Sequence, residues 1–175
     1  MDVQIKSKQV LDKCEAMSLL CMNASNYWNT IKTFLQFPLI IINALLCILN
    51  SLGEQGIDMK LPNIVINGIS VLLLSVQSNL KVAEKVENFK NLGNQFLLLA
   101  HSIEGMEGDD LNKYNVTNFG EKYDILQQQC KFEDIPDKIK KNVSEIFNNR
   151  TLPFQLKNSN NKTITITSNT ELQEA

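Results

Sequence analysis

The sequence predicts an all-α fold: a two-span transmembrane helical hairpin extended by long cytosolic amphipathic helices. Three observations point there. Residues 33–52, TFLQFPLIIINALLCILNSL, carry no charged side chain, and neither do residues 61–80, LPNIVINGISVLLLSVQSNL. Each has the roughly 20 residues needed to cross about 30 Å of hydrocarbon at 1.5 Å rise per residue. A heptad of small and apolar residues runs into the first segment and resumes after the second.

The N-terminal element, residues 1–32, reads as a cytosolic amphipathic helix. Val3, Val10, Cys14, Met17, Cys21, Ala24, Trp28, Ile31 and Leu35 follow three–four spacing, with Ser7 the one lapse. More than thirty amphipathic residues precede the first apolar segment, which is not the layout of a secretory signal. Tyr27 and Trp28 lie one turn before Lys32, where an aromatic belt meets the membrane surface, and Lys81 closes the second span in the same way. Pro38 lies near the start of the first span, a position expected to sacrifice few backbone hydrogen bonds.

The hairpin occupies residues 33–80, with spans at 33–52 and 61–80. GEQGIDMK, Gly53 to Lys60, is short and has two glycines, so the spans are expected to pair antiparallel. Lys6, Lys8, Lys13 and Lys32 precede the hairpin and Lys81, Lys85 and Lys90 follow it, whereas the turn has only Lys60 against Glu54 and Asp58. Lysine excess marks the cytoplasmic side, so both termini are expected in the cytosol and the turn outside or in a lumen. The five N-x-S/T sequons, at Asn23, Asn115, Asn142, Asn149 and Asn161, would then stay unglycosylated. A soluble chain of this length would struggle to hide two such helices, because most of its helices need a polar face.

Residues 81–153 form the C-terminal helical region. The seam resumes at Val82, Val86, Phe89, Gly93, Phe96, Ala100 and Ile103, and GMEGDD, Gly105 to Asp110, breaks that helix. A third helix is expected from Asn118, with Glu121 as capping-box partner, to about Cys130. A fourth follows Asp134, with Pro136 in its first turn and Ile139, Val143 and Ile146 along one side. Pro153 is expected to end the ordered part, and residues 154–175 lack the apolar bulk for a core, although the alternating TITIT could serve as an edge strand.

Both spans carry amides. Gln36, Asn43 and Asn50 are seven residues apart and line one side of the first; Asn63, Asn67 and Ser70 share a face of the second, continued by Gln77 and Ser78. Polar groups facing lipid cost several kcal/mol each when left without a partner. The stripes are therefore expected to face protein or water. They act either as interhelical glue or as the lining of a pore, and a single hairpin should not easily bury both.

The stretches YWNTIKTFLQFPLIIINALLCILNSL and LPNIVINGISVLLLSVQSNLKVAEKVENFKNLGNQFLLLAHSIE, residues 27 to 104, resemble the SLATT-type membrane proteins. Those have an N-terminal helix, a two-span hairpin and a long helix leaving the second span. The resemblance implies an oligomeric pore-forming effector, and the lysine- and asparagine-rich composition would suit a member from a large DNA virus. The alternative class is a structural or scaffold protein of an organelle or virion membrane, whose cytosolic helices bind a protein partner.

Other chemistry is not indicated. The net charge of −2 and the single arginine, Arg150, give no footprint for nucleic acid. Cys14, Cys21, Cys47 and Cys130 have no zinc spacing, and buried free thiols are the expected reading. His101 is the only histidine, no catalytic constellation accompanies it, and neither a metal nor another cofactor is expected. The partners expected are the lipid bilayer and further copies of the chain.

Overall fold

The computed structural model describes residues 2–53, 60–106 and 113–161. It is all-helical across them: α1 (Asp2–Gly53), α2 (Lys60–Asn79), α3 (Val82–Glu104), α4 (Lys113–Gln129), a 3-10 turn (Phe132–Asp134), α5 (Asp137–Ile146) and α6 (Phe154–Asn161). The turn at 54–59, most of the glycine break at 107–112 and the TITIT tail lie outside the described residues. The chain divides into two compact units, one of residues 1–24 and 88–175, the other of residues 25–87.

The first unit is a helical globule with a conventional core. The expected seam of α1 is buried: Cys14, Met17, Cys21 and Ala24 are inaccessible to solvent, and so are Ala16 and Leu20. Phe89, Phe96, Ala100 and Ile103 of α3 meet this face. Contact is close at Gly93, where an added Cβ would stand 3.1 Å from Met22 Cγ and 3.4 Å from Cys21 Cβ. The approach lets the Ser18 hydroxyl donate to the Gly93 carbonyl at 2.9 Å. Val116, Phe119 and Tyr123 of α4, Ile135 after the 3-10 turn, Val143 and Phe147, and Leu152, Pro153 and Leu156 complete the core.

The buried arc of α1 is wider than a two-helix seam, because the chain between α5 and α6 reaches a second side of it. Thr151 N–H donates to Asp12 at 3.2 Å, and Arg150 pairs with Glu15. Asp12 is thereby buried with its charge met by backbone, the arrangement that burial of a carboxylate demands.

The structure departs from expectation at four places here and in α1. α4 starts at Lys113, five residues before Asn118, because Val116 has a core to enter that local capping signals do not reveal. Pro153 opens α6 instead of ending the order: proline lacks the N–H that a first turn leaves unpaired, and Leu156 on α6 is fully buried. Ile146 is exposed, and Phe147, just past the end of α5, takes the core position. Pro38 is deep inside a 52-residue helix. It therefore removes an interior hydrogen bond, that of the Phe34 carbonyl, at roughly 3 kcal/mol.

The second unit has residues 25–53 of α1, α2, and the first turns of α3. Two residues past the end of α2 stands a left-handed residue, Lys81, with φ of 47°. Its N–H closes a tight turn onto the Ser78 carbonyl at 3.1 Å, and its own carbonyl accepts from Lys85 N–H at 3.0 Å to start α3. That conformation costs a side-chain-bearing residue about 1 kcal/mol.

Gly93→Val should destabilise the first unit by about 1–3 kcal/mol through overpacking against Met22 and Cys21. Chemical denaturation followed by circular dichroism measures it, and Gly68→Val, which meets no atom within 4 Å, is the control.

Candidate functional site: a polar edge on an apolar helix pair

In the second unit, two contacts far apart in sequence fix how α1 lies against the chain that follows it. Near the end of α1, Asn63 Nδ2 donates to Asn50 Oδ1 at 3.0 Å. Twenty-two residues earlier on α1 and twenty-two later in the chain, the Lys85 ammonium sits 4.2 Å from the centre of the Trp28 ring. Ser25 adds a hydroxyl bond to the Val86 carbonyl at 3.0 Å. The two segments thus run antiparallel in one register, each step back along α1 matched by a step forward along its partner.

That register is expressed in a narrow seam. From 33 to 51 the only shielded residues are Leu35, Pro38, Leu39, Ile42, Leu46 and Leu49, and along α2 they are Asn63, Ile66, Ser70, Leu73 and Gln77. All are half-buried and none is fully buried. The α1 side of the seam is apolar; the α2 side alternates polar and apolar residues at heptad spacing.

The sequence-predicted polar residues divide accordingly. Asn63 and Ser70 lie in the seam, while Gln36, Asn43, Asn50 and Asn67 are exposed on its flank. Stepping from the Asn50–Asn63 bond, Asn43 comes level with Ser70 and Gln36 with Gln77. Angular position adds a second fact. At 100° per residue, the amides of α1 all lie to one side of its seam, and Asn67 and Ser78 lie to the same side of theirs. Like flanks of two antiparallel helices adjoin, so these groups collect on one edge of the pair. The other edge has Phe34, Ile41 and Leu45 from α1, and Val65, Ile69 and Val76 from α2, all exposed.

The polar edge is incompletely satisfied. Asn63 Oδ1 is enclosed and has no hydrogen-bond partner. Ser70 turns its hydroxyl back onto the Ile66 carbonyl at 3.0 Å. Of the second stripe, Asn63, Ser70 and Gln77 lie in the seam and Asn67 beside it, while the first stripe lies on the flank.

The residues expected at a membrane interface gather near one end of this unit. Tyr27 and Trp28 contact edge-to-face, with centroids 5.5 Å apart. Lys32 is half-buried and Lys81 exposed, its ammonium 3.8 Å from the Glu84 carboxylate.

In the first unit, the thiols of Cys21 and Cys130 approach to 4.0 Å. Their mutual hydrogen bond and burial push the Cys21 thiol strongly upward, and burial pushes the Cys14 thiol up to about 12 from its ordinary 9.0. Burial also raises the Tyr123 hydroxyl, which has no hydrogen-bond partner. His101 lies on the exposed side of α3, 3.3 Å from Glu104. Among the described residues no cluster of three histidine, cysteine or acidic side chains could hold a metal. Sequence reasoning missed Ser18 and Ser25 as bonding positions; their heptad spacing was the available signal.

No protein-family model, curated protein or solved structure matches this chain.

An Asn50→Leu/Asn63→Leu double-mutant cycle should give a coupling of about 0.6–2 kcal/mol in detergent-unfolding titrations. The Cys14 shift has a sign that can be checked. Its pKa is higher folded than unfolded, so the buried neutral thiol contributes stability in full below pH 9.0 and loses it as pH rises toward about 12. Thermal stability of the first unit should therefore fall over that range, and less steeply in Cys14→Ala.

Proposed function

We propose that the chain is an integral membrane protein that crosses the bilayer twice, as a hairpin of residues 33–80, and oligomerises as a SLATT-type pore-forming effector. The observation that carries this reading is the segregation of polar groups onto one edge of an otherwise apolar, unburied helix pair. Two helices are long and apolar enough to cross a membrane, and the most apolar 18-residue window of each has no buried residue. Water would leave both surfaces without cover. Lipid covers the apolar edge but leaves Gln36, Asn43 and Asn67 without hydrogen-bond partners, at several kcal/mol each.

Copies arranged with those edges inward remove the cost, and the enclosed space becomes a wet, amide-lined path. The lysine distribution favours both termini in the cytosol. No step of catalysis is part of this reading.

A second reading has one observation in its favour. Between α3 and α4 lies an apolar cleft of about 370 Å³, bordered by Leu98, Leu99, Ile125 and Leu126, with Gln95 and Gln129 at its rim. A non-enzymatic scaffold that holds a cytosolic protein there would have less need of a continuous polar path through the membrane.

Reconstitution into liposomes separates the two. The pore reading expects ion flux from the wild-type protein, a multimer in detergent, and loss of flux to the level of empty liposomes in Asn43→Leu/Asn67→Leu. Wild-type protein that inserts without conducting supports the scaffold, and protein that stays freely soluble beside vesicles defeats both.

A further inference from the structure

The polar edge does not end at its outermost amides. One turn beyond Gln36 on α1 is Lys32, and one turn beyond Gln77 is Lys81. The register that makes Gln36 level with Gln77 also makes Lys32 level with Lys81. Lys32 falls on the amide-bearing side of α1 and Lys81 stands in the turn just past α2, so the two cations lie at the same end of the edge. The left-handed turn at Lys81 contributes to this, because it ends α2 there and opens a cleft of about 390 Å³ beside Gln77, Ser78 and Glu84.

The opposing charges at that end are few. Glu84 is 3.8 Å from the Lys81 ammonium, with 52% of its side chain exposed against 70% for the lysine. An ion pair so open to solvent is weak, and Glu84 with Glu87 leaves Lys32, Lys81 and Lys85 one positive charge in excess per chain. Lys85 adds a third positive charge one turn further, over Trp28. Between residues 33–53 and 60–79 there is one charged side chain, Lys60, at the opposite end of α2, and no acidic one. Amides donate and accept equally well and discriminate little by sign of charge. Discrimination therefore falls to the charges that flank the spans, and at this end the lysines are in excess.

We propose that, in the assembled pore, Lys32 and Lys81 from each copy form a cationic ring at one mouth that selects small inorganic anions over cations. This rests on the pore reading above and specifies what passes. Repeated around an axis and walled by low-dielectric helices, two lysines per chain focus a positive potential that concentrates anions at the entrance. The amide N–H groups of Gln36, Asn43 and Asn67 then replace part of the hydration of an entering anion.

The test is the reversal potential of the full-length protein in phosphatidylcholine bilayers under a potassium chloride gradient. The zwitterionic lipid keeps anionic headgroups from competing for the lysines. The wild-type protein should reverse toward the chloride equilibrium potential. Lys32→Gln/Lys81→Gln should keep its oligomer size, still conduct above the level of a protein-free bilayer, and reverse near zero. Lys32→Arg/Lys81→Arg, which keeps both charges, should behave as wild type and guards against a folding effect. Wild-type reversal at zero or toward potassium overturns the anion preference alone, as does a glutamine variant that still reverses with chloride. Absence of any wild-type conductance overturns the pore and this inference together.

Discussion

The register between α1 and the chain running back along it governs most of what is distinctive here. An antiparallel pair of long helices packed through Leu, Ile and Val alone has several neighbouring alignments of similar energy, because one apolar knob fits a hole much as another does. Amides and cation–π contacts are different. The Asn50–Asn63 bond and the Lys85–Trp28 contact are equally spaced along α1 and along the chain that runs back beside it, so a slip of one residue forfeits both. A polar residue at a seam position lowers stability and defines alignment, a well-attested use of buried polarity. Asn63, Ser70 and Gln77 at every seventh position of α2 give this pair three such positions.

The two units use serine and small residues for a related purpose. In the first, Ser18 reaches the carbonyl of Gly93, possible because a residue without a Cβ lets the backbones approach. In the second, Ser25 reaches the carbonyl of Val86. The donors are seven residues apart, and so are the acceptors. Each bond satisfies a hydroxyl that would otherwise be buried unpaired, since both serines are nearly inaccessible. Small side chains along α1, among them Cys14, Ala24 and Cys21, belong to the same design: close approach with dispersion contacts in place of bulky interdigitation.

Much of this was legible in the sequence because it is periodic. The seam from Val10 to Ala24, its resumption from Val82 to Ile103, and the two apolar segments are patterns of residue type with a fixed repeat, and a helix converts them directly into faces. The failures have a common cause. Asn118 is a plausible helix start on local chemistry, and Pro153 a plausible stop, but Val116 and Leu156 are buried in a core that local signals do not reveal. Pro38 lies near the start of the apolar segment, but its cost depends on the helix, which begins 36 residues before it.

For the polar residues the division is sharper. The sequence by itself determined that Gln36, Asn43 and Asn50 form a row on one helix and Asn63, Asn67 and Ser70 a patch on another, since heptad spacing fixes angle about a helix's own axis. It could not say whether the row and the patch meet, stand back to back, or gather on one side. Tertiary structure decided that, by choosing an antiparallel register in which like flanks adjoin. The same choice set Lys32 level with Lys81, a juxtaposition that neither helix encodes alone.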